Sequence, residues 1–435
     1  MKVAIAGFGL EGQSSLEYYR KLGHQVTVLD EDSGIKVPKE VKAVLGDKAF
    51  KDLDQYDLIV RSAGIQPSKL IGDNQYLASK VTTQLNEFMK LVQPSQVIGV
   101  TGTKGKGTTT TLIYKMLQAG HLSSVIGGNI GVPMLSLVDR LKPNSLVVLE
   151  LSSFQLSDFK GPSPYLSVCL MVEPEHLDWH GNLTEYVLAK SNLFRHSLKT
   201  DVTIYNPNSR LSKKVVEASK AKKLAYLRPP NAHILNNQLI IDDQLICQVG
   251  DFKLLGKHNW QNICASVTSA WQFTQDIKAI REVVTNFSGL EHRLEFVVEV
   301  RGVKYYNDSF ASQPKATEAA LDSIEGTKIL IVGGYDRMLN LSDLAKKIKQ
   351  SEDQIRHLIL IGASAQRLAE ALDKVGFFNY LIDSKLTTMS AIVSQASRLA
   401  QSSDSVILSP GFASFDMFNN FVDRGKQFKQ AVKAL

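Results

Sequence analysis

A chain of 435 residues that is 44% hydrophobic and 21% charged has enough apolar surface for sizeable cores, which excludes a disordered or low-complexity protein. Its formal net charge of +7 suits polyanionic small molecules. With no block of consecutive Lys or Arg, the excess argues against a nucleic-acid partner.

Taken in chain order, Lys2–Ala6 reads as a buried strand, Gly7–Gly12 as a turn, Gln13–Leu22 as a helix, and Gln25–Leu29 and Asp57–Val60 as further strands. This unit fades near Leu91, and Gln93-Pro94-Ser95 serves as a linker. Buried strands follow at Gln96–Val100, Leu146–Leu151, Leu166–Val172 and Val202–Tyr205. Between Ile234 and Val249, short strands are broken at Asn236-Asn237 and Asp242-Asp243, a hairpin signal. After Gly289, Glu295–Val300 and Val303–Tyr306 are joined at Arg301-Gly302. Lys328–Val332, Leu358–Ile361 and Ser405–Leu408 then alternate with helical segments in a parallel-sheet pattern. The expectation is an α/β protein of three domains: a Rossmann-like domain over 1–92, a P-loop-type ATPase domain over 93–288 and a second Rossmann-like domain over 289–435. No apolar stretch approaches membrane-spanning length, and Met1–Gly7 is too brief for a signal segment. Cys169, Cys247 and Cys264 lack paired or metal-type spacing and read as buried free thiols. A cytoplasmic protein is expected.

The most informative stretch is Val97-Ile-Gly-Val-Thr-Gly-Thr-Lys-Gly-Lys-Gly-Thr-Thr-Thr-Thr111. Here an apolar run ends in a glycine-rich loop, a lysine and a hydroxyl cluster, and Leu112–Leu117 reads as helix. Gly102 and Gly105 let backbone N–H groups approach phosphates, the helix N-terminus favours anions, and Lys106 reaches the β/γ oxygens. The loop departs from the standard Walker A pattern. The position six before Lys106 carries no glycine, and Gly107 stands where a Mg²⁺-binding hydroxyl normally follows. ATP binding is expected.

Gly7-Phe-Gly9-Leu-Glu-Gly12, with Asp30 at the end of the next strand, fits a dinucleotide-dependent dehydrogenase, a general nucleotide-binding turn or a purely structural turn. The short unit and the direct passage into an ATP loop favour the second. Glu150-Leu-Ser-Ser-Phe-Gln155 puts a carboxylate at a strand C-terminus, either to hold Mg²⁺ or to make a surface ion pair. Glu175-His176-Leu-Asp178-Trp-His180 gathers potential ligands at another strand end, with nonspecific spacing. Lys190, on the helix Thr184–His196, is not singled out by its surroundings. Gly256-Lys-His258-Asn259-Trp-Gln-Asn262 reads as contacts to a base or phosphate, or as a helix cap. Arg293, in Gly289-Leu-Glu-His292-Arg293, suits a phosphoryl clamp at a domain junction.

Together these motifs, with Asn307-Asp308-Ser309 and Leu408-Ser-Pro-Gly-Phe-Ala-Ser-Phe-Asp-Met-Phe418, resemble the Mur ligases over essentially the whole chain. These are ATP-dependent amide-forming ligases of peptidoglycan precursor synthesis. The Leu408–Phe418 segment and the N-terminal GxGxxG are similar to the glutamate-adding branch. The resemblance implies ATP and Mg²⁺, UDP-N-acetylmuramoyl-L-alanine and D-glutamate as substrates, an acyl-phosphate intermediate, and a monomer. It implies that Gly102, Thr103, Lys104, Gly105, Lys106, Gly107, Thr108 and Thr109 hold the ATP phosphates. Thr108, Glu150 and His176 would serve the metals with Lys190, which matches a lysine that is carbamylated in the family. Asn262, Arg293 and Asp308 would contact adenine, phosphate and ribose. Gly9, Leu10, Asp30, Ser62, Gly64 and Asn129 would hold the UDP-sugar, and Arg337, Ser414, Phe415 and Phe421 the glutamate. Lys106, Glu150, His176, Lys190 and Arg293 form the implied catalytic set.

Several positions depart from the family pattern. Gly107 lacks the usual hydroxyl, which leaves Thr108 or Thr109 to serve the metal. Glu11 and Glu31 stand where uncharged residues are frequent, and Glu173 where Asn is frequent. Phe310 replaces a common lysine, with Lys315 as its candidate substitute. The rival readings are a folylpolyglutamate synthetase, which shares the glycine after the loop lysine, and a non-catalytic nucleotide-binding subunit.

Overall fold

The computed structural model describes every residue except Asp73 and Leu255. The chain forms two compact units, Met1–Phe252 with Lys257–Phe287, and Lys253–Gly256 with Ser288–Leu435.

The first unit carries two parallel sheets. Strands β1 (Lys2–Ala6), β2 (Gln25–Asp30), β3 (Lys42–Leu45), β4 (Leu58–Arg61) and β5 (Val81–Thr83) pair in the order β3-β2-β1-β4-β5. Strands β6 (Val97–Thr101), β7 (Ser124–Gly128), β8 (Leu146–Glu150), β9 (Leu166–Cys169), β10 (Val202–Tyr205) and β11 (Lys222–Ala225) pair in the order β11-β10-β9-β6-β8-β7. In both sheets the strand order reverses beside the strand that opens the unit, β1 or β6. A crevice forms at such a reversal, outside the strands' carboxyl ends, and ligands bind there. A small antiparallel sheet follows, β12 (His233–Leu235), β13 (Gln238–Ile241) and β14 (Gln244–Gln248). Its two turns put Asn236-Asn237 and Asp242-Asp243 at φ 50° and 61°, and 50° and 57°. Asn and Asp tolerate that left-handed pair better than other non-glycine residues, which is why these dipeptides signal tight hairpins.

The two parallel sheets of this unit share one apolar core. Leu16, Phe88 and Met89 from the first region pack in the same cluster as Met134, Leu137, Phe159 and Phe194 from the second. A buried cation reinforces the join. Arg61, at the end of β4, has no exposed side-chain surface. It donates to both Asp158 oxygens at 2.9 and 2.6 Å and to the carbonyls of Ile65 (2.6 Å) and Phe154 (3.1 Å).

The second unit holds β15 (Glu295–Val300), β16 (Val303–Asn307), β17 (Lys328–Gly333), β18 (Ile355–Ile361), β19 (Tyr380–Ile382) and β20 (Ser405–Leu408), ordered β15-β16-β20-β17-β18-β19. β15 runs antiparallel to β16 through the Arg301-Gly302 turn, so the sheet is mixed. The expected join at Arg301-Gly302 is thus an antiparallel hairpin, since two residues cannot make a parallel crossover, which needs a dozen or more. The strands that follow pair in parallel, as their alternation with helices predicts. Helices cover both faces, each face with its own apolar cluster. Cys169, Cys247 and Cys264 are buried and free. Among the described residues no helix is long and apolar enough to cross a membrane.

Replacing Arg61 by Ala leaves Asp158 and several carbonyls without their donor, and breaking a buried pair typically costs about 3–5 kcal/mol. The three tryptophans, Trp179, Trp260 and Trp271, all lie in the first unit, so tryptophan fluorescence follows that unit alone. We expect Arg61→Ala to lower its urea midpoint while a far-UV signal retains a later transition from the second unit. An unchanged midpoint would show that the ion pair does not hold the first unit's two sheets together.

Candidate active site

The glycine-rich loop leaves β6 at the sheet's point of reversal and enters the helix Lys106–Ala119. Gly105 caps that helix at φ 85°, and a Cβ there would lie 2.1 Å from Asn262 Oδ1. Only glycine both adopts this conformation cheaply and lets Asn262 lie against the loop. Asn262 is oriented in turn by Nδ2, which donates to Asn259 Oδ1 at 2.7 Å. At the other side of the loop, buried Thr103 Oγ1 accepts from the Glu173 backbone N–H (2.9 Å) and lies 2.7 Å from Tyr186 Oη. Lys104 is exposed and sits 3.7 Å from the Glu173 carboxylate.

Two ammonium groups meet on one oxygen. Lys106 Nζ donates to the carbonyls of Gly102 (3.1 Å) and Thr103 (2.9 Å), and Lys190 Nζ donates to the same Gly102 oxygen at 2.8 Å. Lys190 is 1% exposed, with Nζ 4.7 Å from the centre of the Tyr186 ring. Burial first, and the Lys106 charge second, push its pKa down to about 7. Loss of water favours the neutral amine, and a like charge alongside does the same. Gly107 is buried, Thr108 is half-buried, and the buried hydroxyls of Thr109 and Thr110 have no hydrogen-bond partner among the described residues.

The β6–β8 register sets Val100 opposite Glu150, which brings the Glu150 carboxylate beside the loop at the strands' C-terminal ends. Asn129, expected at the UDP-sugar, holds Glu150 in this structure. Its backbone N–H donates to the Glu150 carbonyl at 2.8 Å and Nδ2 donates to Glu150 Oε1 at 2.8 Å. His176 adopts φ 56° ahead of a short helix, with Nε2 3.6 Å from Glu175. Its ring lies 4.7 Å from Phe154, which also contacts Trp179 (4.8 Å) and stacks on His180 (5.6 Å, 11°). His180 Nε2 sits 3.0 Å from Ser153 Oγ, and burial pushes its pKa down to about 4. The segments after β8 and β9 therefore meet through aromatic faces. Phe154, Trp179 and Tyr186 were not among the expected site residues. The Phe between Ser153 and Gln155 and the Trp between Asp178 and His180 were the sequence signals for two of them.

At the first sheet, the Gly7–Gly12 turn is pinned by its own strand ends. Phe8 N–H donates to Asp30 Oδ2 (2.7 Å), Asp32 N–H to Asp30 Oδ1 (2.9 Å), and Ser62 Oγ to the Gly7 carbonyl (2.7 Å). A Cβ on Gly12 would lie 2.1 Å from the Gly7 oxygen, so the third glycine lets the helix sit tight on the turn. Leu10 is 71% exposed, and Gly9 caps the helix start. The Gly64 carbonyl accepts from Trp179 Nε1 at 3.3 Å. Glu11 accepts from Gln155 Nε2 (2.6 Å) and from Ala63 N–H (2.9 Å). Glu31 pairs with Lys69 at 2.6 Å.

In the second unit, Asp308 is buried, accepting from Ser409 Oγ (2.7 Å) and Leu294 N–H (3.1 Å), and burial raises its pKa to about 7. Arg293 lies over the Phe310 ring at 3.9 Å. Exposed Arg337 faces the Phe415 ring at 5.9 Å, and Phe415 meets Tyr335 at 6.3 Å. Ser414 is buried nearby in sequence, whereas Phe421 packs against Phe310 (5.1 Å) and His292 (6.1 Å). Lys315, the candidate substitute for a lysine at Phe310, is exposed and pairs with Glu318 on its own helix at 2.7 Å. Arg424, which the sequence did not flag, is 1% exposed. It donates to Ser309 Oγ (3.0 Å), to the Ser309 carbonyl (2.8 Å) and to the Phe412 carbonyl (3.2 Å), joining the ends of β16 and β20.

The Mur ligase middle domain matches residues 100–270, and the Mur ligase glutamate ligase domain matches residues 292–412. The chain is 35% identical to the UDP-N-acetylmuramoylalanine–D-glutamate ligase of Clostridium kluyveri, covering 99% of this chain and 96% of that one. It is 36% identical to the enzyme of the same name from Clostridium botulinum strain Kyoto, covering 100% and 97%. Among solved structures, the fold is similar to the UDP-N-acetylmuramate–alanine ligase MurC of Thermotoga maritima, with a TM-score of 0.60, 15% identity and coverage of 100% and 99%. It is also similar to the Thermotoga maritima MurF ligase in complex with ADP, with a TM-score of 0.58, 16% identity and coverage of 99% and 95%. A loop built for phosphate, a carboxylate held beside it, and full-length likeness to these enzymes lead to one conclusion: the chain belongs to the Mur ligase family.

Proposed function

We propose that this chain is an ATP-dependent ligase that joins D-glutamate to UDP-N-acetylmuramoyl-L-alanine in peptidoglycan precursor synthesis. The observation that carries the reading is the convergence of Lys106 and Lys190 on the Gly102 oxygen at the mouth of a helix N-terminus, an arrangement that calls for anions. The domain division behind it is 1–92 for the UDP-linked substrate, 93–288 for ATP and 289–435 for the amino acid. The protein acts as a cytoplasmic monomer.

The residues present fit both implied groups. The loop's backbone turns through a positive-φ Gly105 into the helix N-terminus, which favours phosphate, and the carboxylate of Glu150 with the hydroxyl of Thr108 offers the hard oxygen donors that Mg²⁺ prefers. When bound, Mg²⁺ would neutralise phosphate charge, with Glu150, His176, Thr108 and a carbamate on Lys190 as the residues that hold it. That carbamate needs a neutral amine to attack CO₂, and burial of Lys190 supplies one. Lys106 and the loop N–H groups bind the phosphates. In the first step a carboxylate oxygen of the L-alanyl end attacks the γ-phosphorus and ADP leaves, giving an acyl phosphate. The glutamate amine then attacks the acyl carbon, phosphate leaves, an amide forms and the amine gives up a proton. Arg293 offsets charge on the transferred phosphoryl group. Asn262 and Asp308 contact the nucleoside. Gly9, Leu10, Asp30, Ser62 and Gly64 shape the UDP-sugar site, with Asn129 acting through Glu150. Arg337, Ser414, Phe415 and Phe421 line the amino-acid pocket.

Phosphate release from ATP, measured over a panel of acceptors, tests the function. Stimulation only by UDP-N-acetylmuramoyl-L-alanine with D-glutamate is expected. Stimulation by a folate and L-glutamate instead would replace this reading with the folylpolyglutamate synthetase one. Lys190→Ala should cut turnover about 100-fold or more, with partial recovery in acetate or formate, because an added carboxylate can take the carbamate's place. Wild-type turnover in Lys190→Ala would reduce Lys190 to a packing residue. Arg337→Ala removes a charged donor to a carboxylate. It should raise the KM for D-glutamate about 10- to 100-fold and leave those for ATP and the UDP-sugar near wild type. Equal changes in all three constants would remove Arg337 from the amino-acid pocket.

A further inference from the structure

Phe310 lies against the Arg293 guanidinium, and its surroundings give that contact a purpose. Its ring is 41% exposed, at the C-terminal end of β16 and directly after Asp308-Ser309, so it is not a core residue. One face carries the Arg293 guanidinium at 3.9 Å from the ring centre. The ring meets that of Phe421 at 5.1 Å and 87°, the edge-to-face geometry that aromatic pairs prefer.

The backbone beneath the arginine is fixed independently. His292 and Leu294, on either side of Arg293, adopt φ 65° and 43°. Non-glycine residues hold such angles only where their surroundings enforce them, and here three bonds do so. His292 N–H donates to Glu295 Oε2 (3.0 Å), Leu294 N–H to Asp308 Oδ1 (3.1 Å), and Phe310 N–H to the His292 carbonyl (2.9 Å). The last bond ties the aromatic ring and the arginine's own segment into one body. The His292 ring is also locked, its Nδ1 lying 2.9 Å from Asn307 Nδ2.

We propose that Phe310 is a positioning residue for Arg293. Its ring face restricts the guanidinium that the proposed function assigns to a phosphoryl oxygen of ATP, and its edge-to-face contact with Phe421 fixes the ring in turn. A lysine at this position would add a second positive charge. Phe310 instead supplies a π face that attracts the first charge and restricts its long side chain. The proposal rests on the assignment of Arg293 to the ATP phosphates made above.

Full-length wild type, Phe310→Leu, Phe310→Trp, Arg293→Ala and the Phe310→Leu/Arg293→Ala double variant separate the two. Phe310→Leu keeps apolar bulk but loses the π face. A partly exposed cation–π contact predicts about a 3- to 10-fold loss in kcat/KM for ATP, with the KM for the UDP-sugar unchanged. Phe310→Trp should restore it, and the double variant should be no worse than Arg293→Ala. In parallel, the Arg293 δ-methylene protons in arginine-labelled protein should show an upfield ring-current shift that Phe310→Leu abolishes. Wild-type kinetics in Phe310→Leu, additive losses in the double variant, or absence of the ring-current shift would each overturn the proposal. If Arg293→Ala leaves the ATP constants unchanged while the ring-current shift is present, the phosphate assignment of Arg293 falls, and the role proposed for Phe310 falls with it.

Discussion

The constraint on which the site depends is the sharing of one carbonyl oxygen, that of Gly102, by two lysine side chains. One of them, Lys190, is almost without solvent. Like charges in a poorly solvated place repel strongly, and the N-terminus of the helix Lys106–Ala119 adds further positive potential. Two relaxations are open to such an arrangement. One lysine can give up its proton, which is the direction in which burial drives Lys190, or anions can enter. A site that takes up anions beside a lysine able to lose its proton uses both.

The position of the loop follows from the sheet. β6 lies between β8 and β9, so residues after all three strands emerge together, and the chain places Lys106, Glu150 and the Glu173–His180 segment there. Within the first unit a continuous polar path connects this region to the first sheet. Glu11 at the glycine turn accepts from Gln155, and Gln155 Oε1 accepts from the Ser152 N–H at 3.0 Å, two residues beyond Glu150. The ion pair of the fully buried Arg61 with the partly buried Asp158 runs alongside. The acid at position 11 thus has a structural partner: it fixes the segment that follows the Glu150 carboxylate.

Which parts of this were legible in the sequence has a physical pattern. Every strand with neighbours on both sides in the three large sheets was found, because burial on both faces leaves a continuous apolar run. The strands missed in those sheets, Lys42–Leu45, Val81–Thr83, Ser124–Gly128, Lys222–Ala225 and Tyr380–Ile382, are all edge strands. Lys42–Leu45 and Lys222–Ala225 expose two of their four residues, and Ser124–Gly128 ends in two glycines. The edge strand Glu295–Val300 was recovered because Arg301-Gly302 announces its hairpin. At the site, backbone chemistry was readable: glycines, strand-end acids and the loop lysine all have positional signatures. Side-chain partnerships across long sequence separations were not. Nothing local marks Asn129 as the holder of Glu150, Arg424 as the clamp on Ser309, or Phe310 as the platform for Arg293.

The central claim is that Lys190, buried beside Lys106 on a shared carbonyl, holds a neutral amine that takes up an anionic group. Carbon-13 NMR of the protein equilibrated with ¹³C-bicarbonate tests it directly. The account predicts one protein-bound carbamate resonance in the wild type that disappears in Lys190→Met and persists in Lys104→Met, whose lysine is exposed. Absence of the resonance in the wild type, or its persistence in Lys190→Met, would contradict the account.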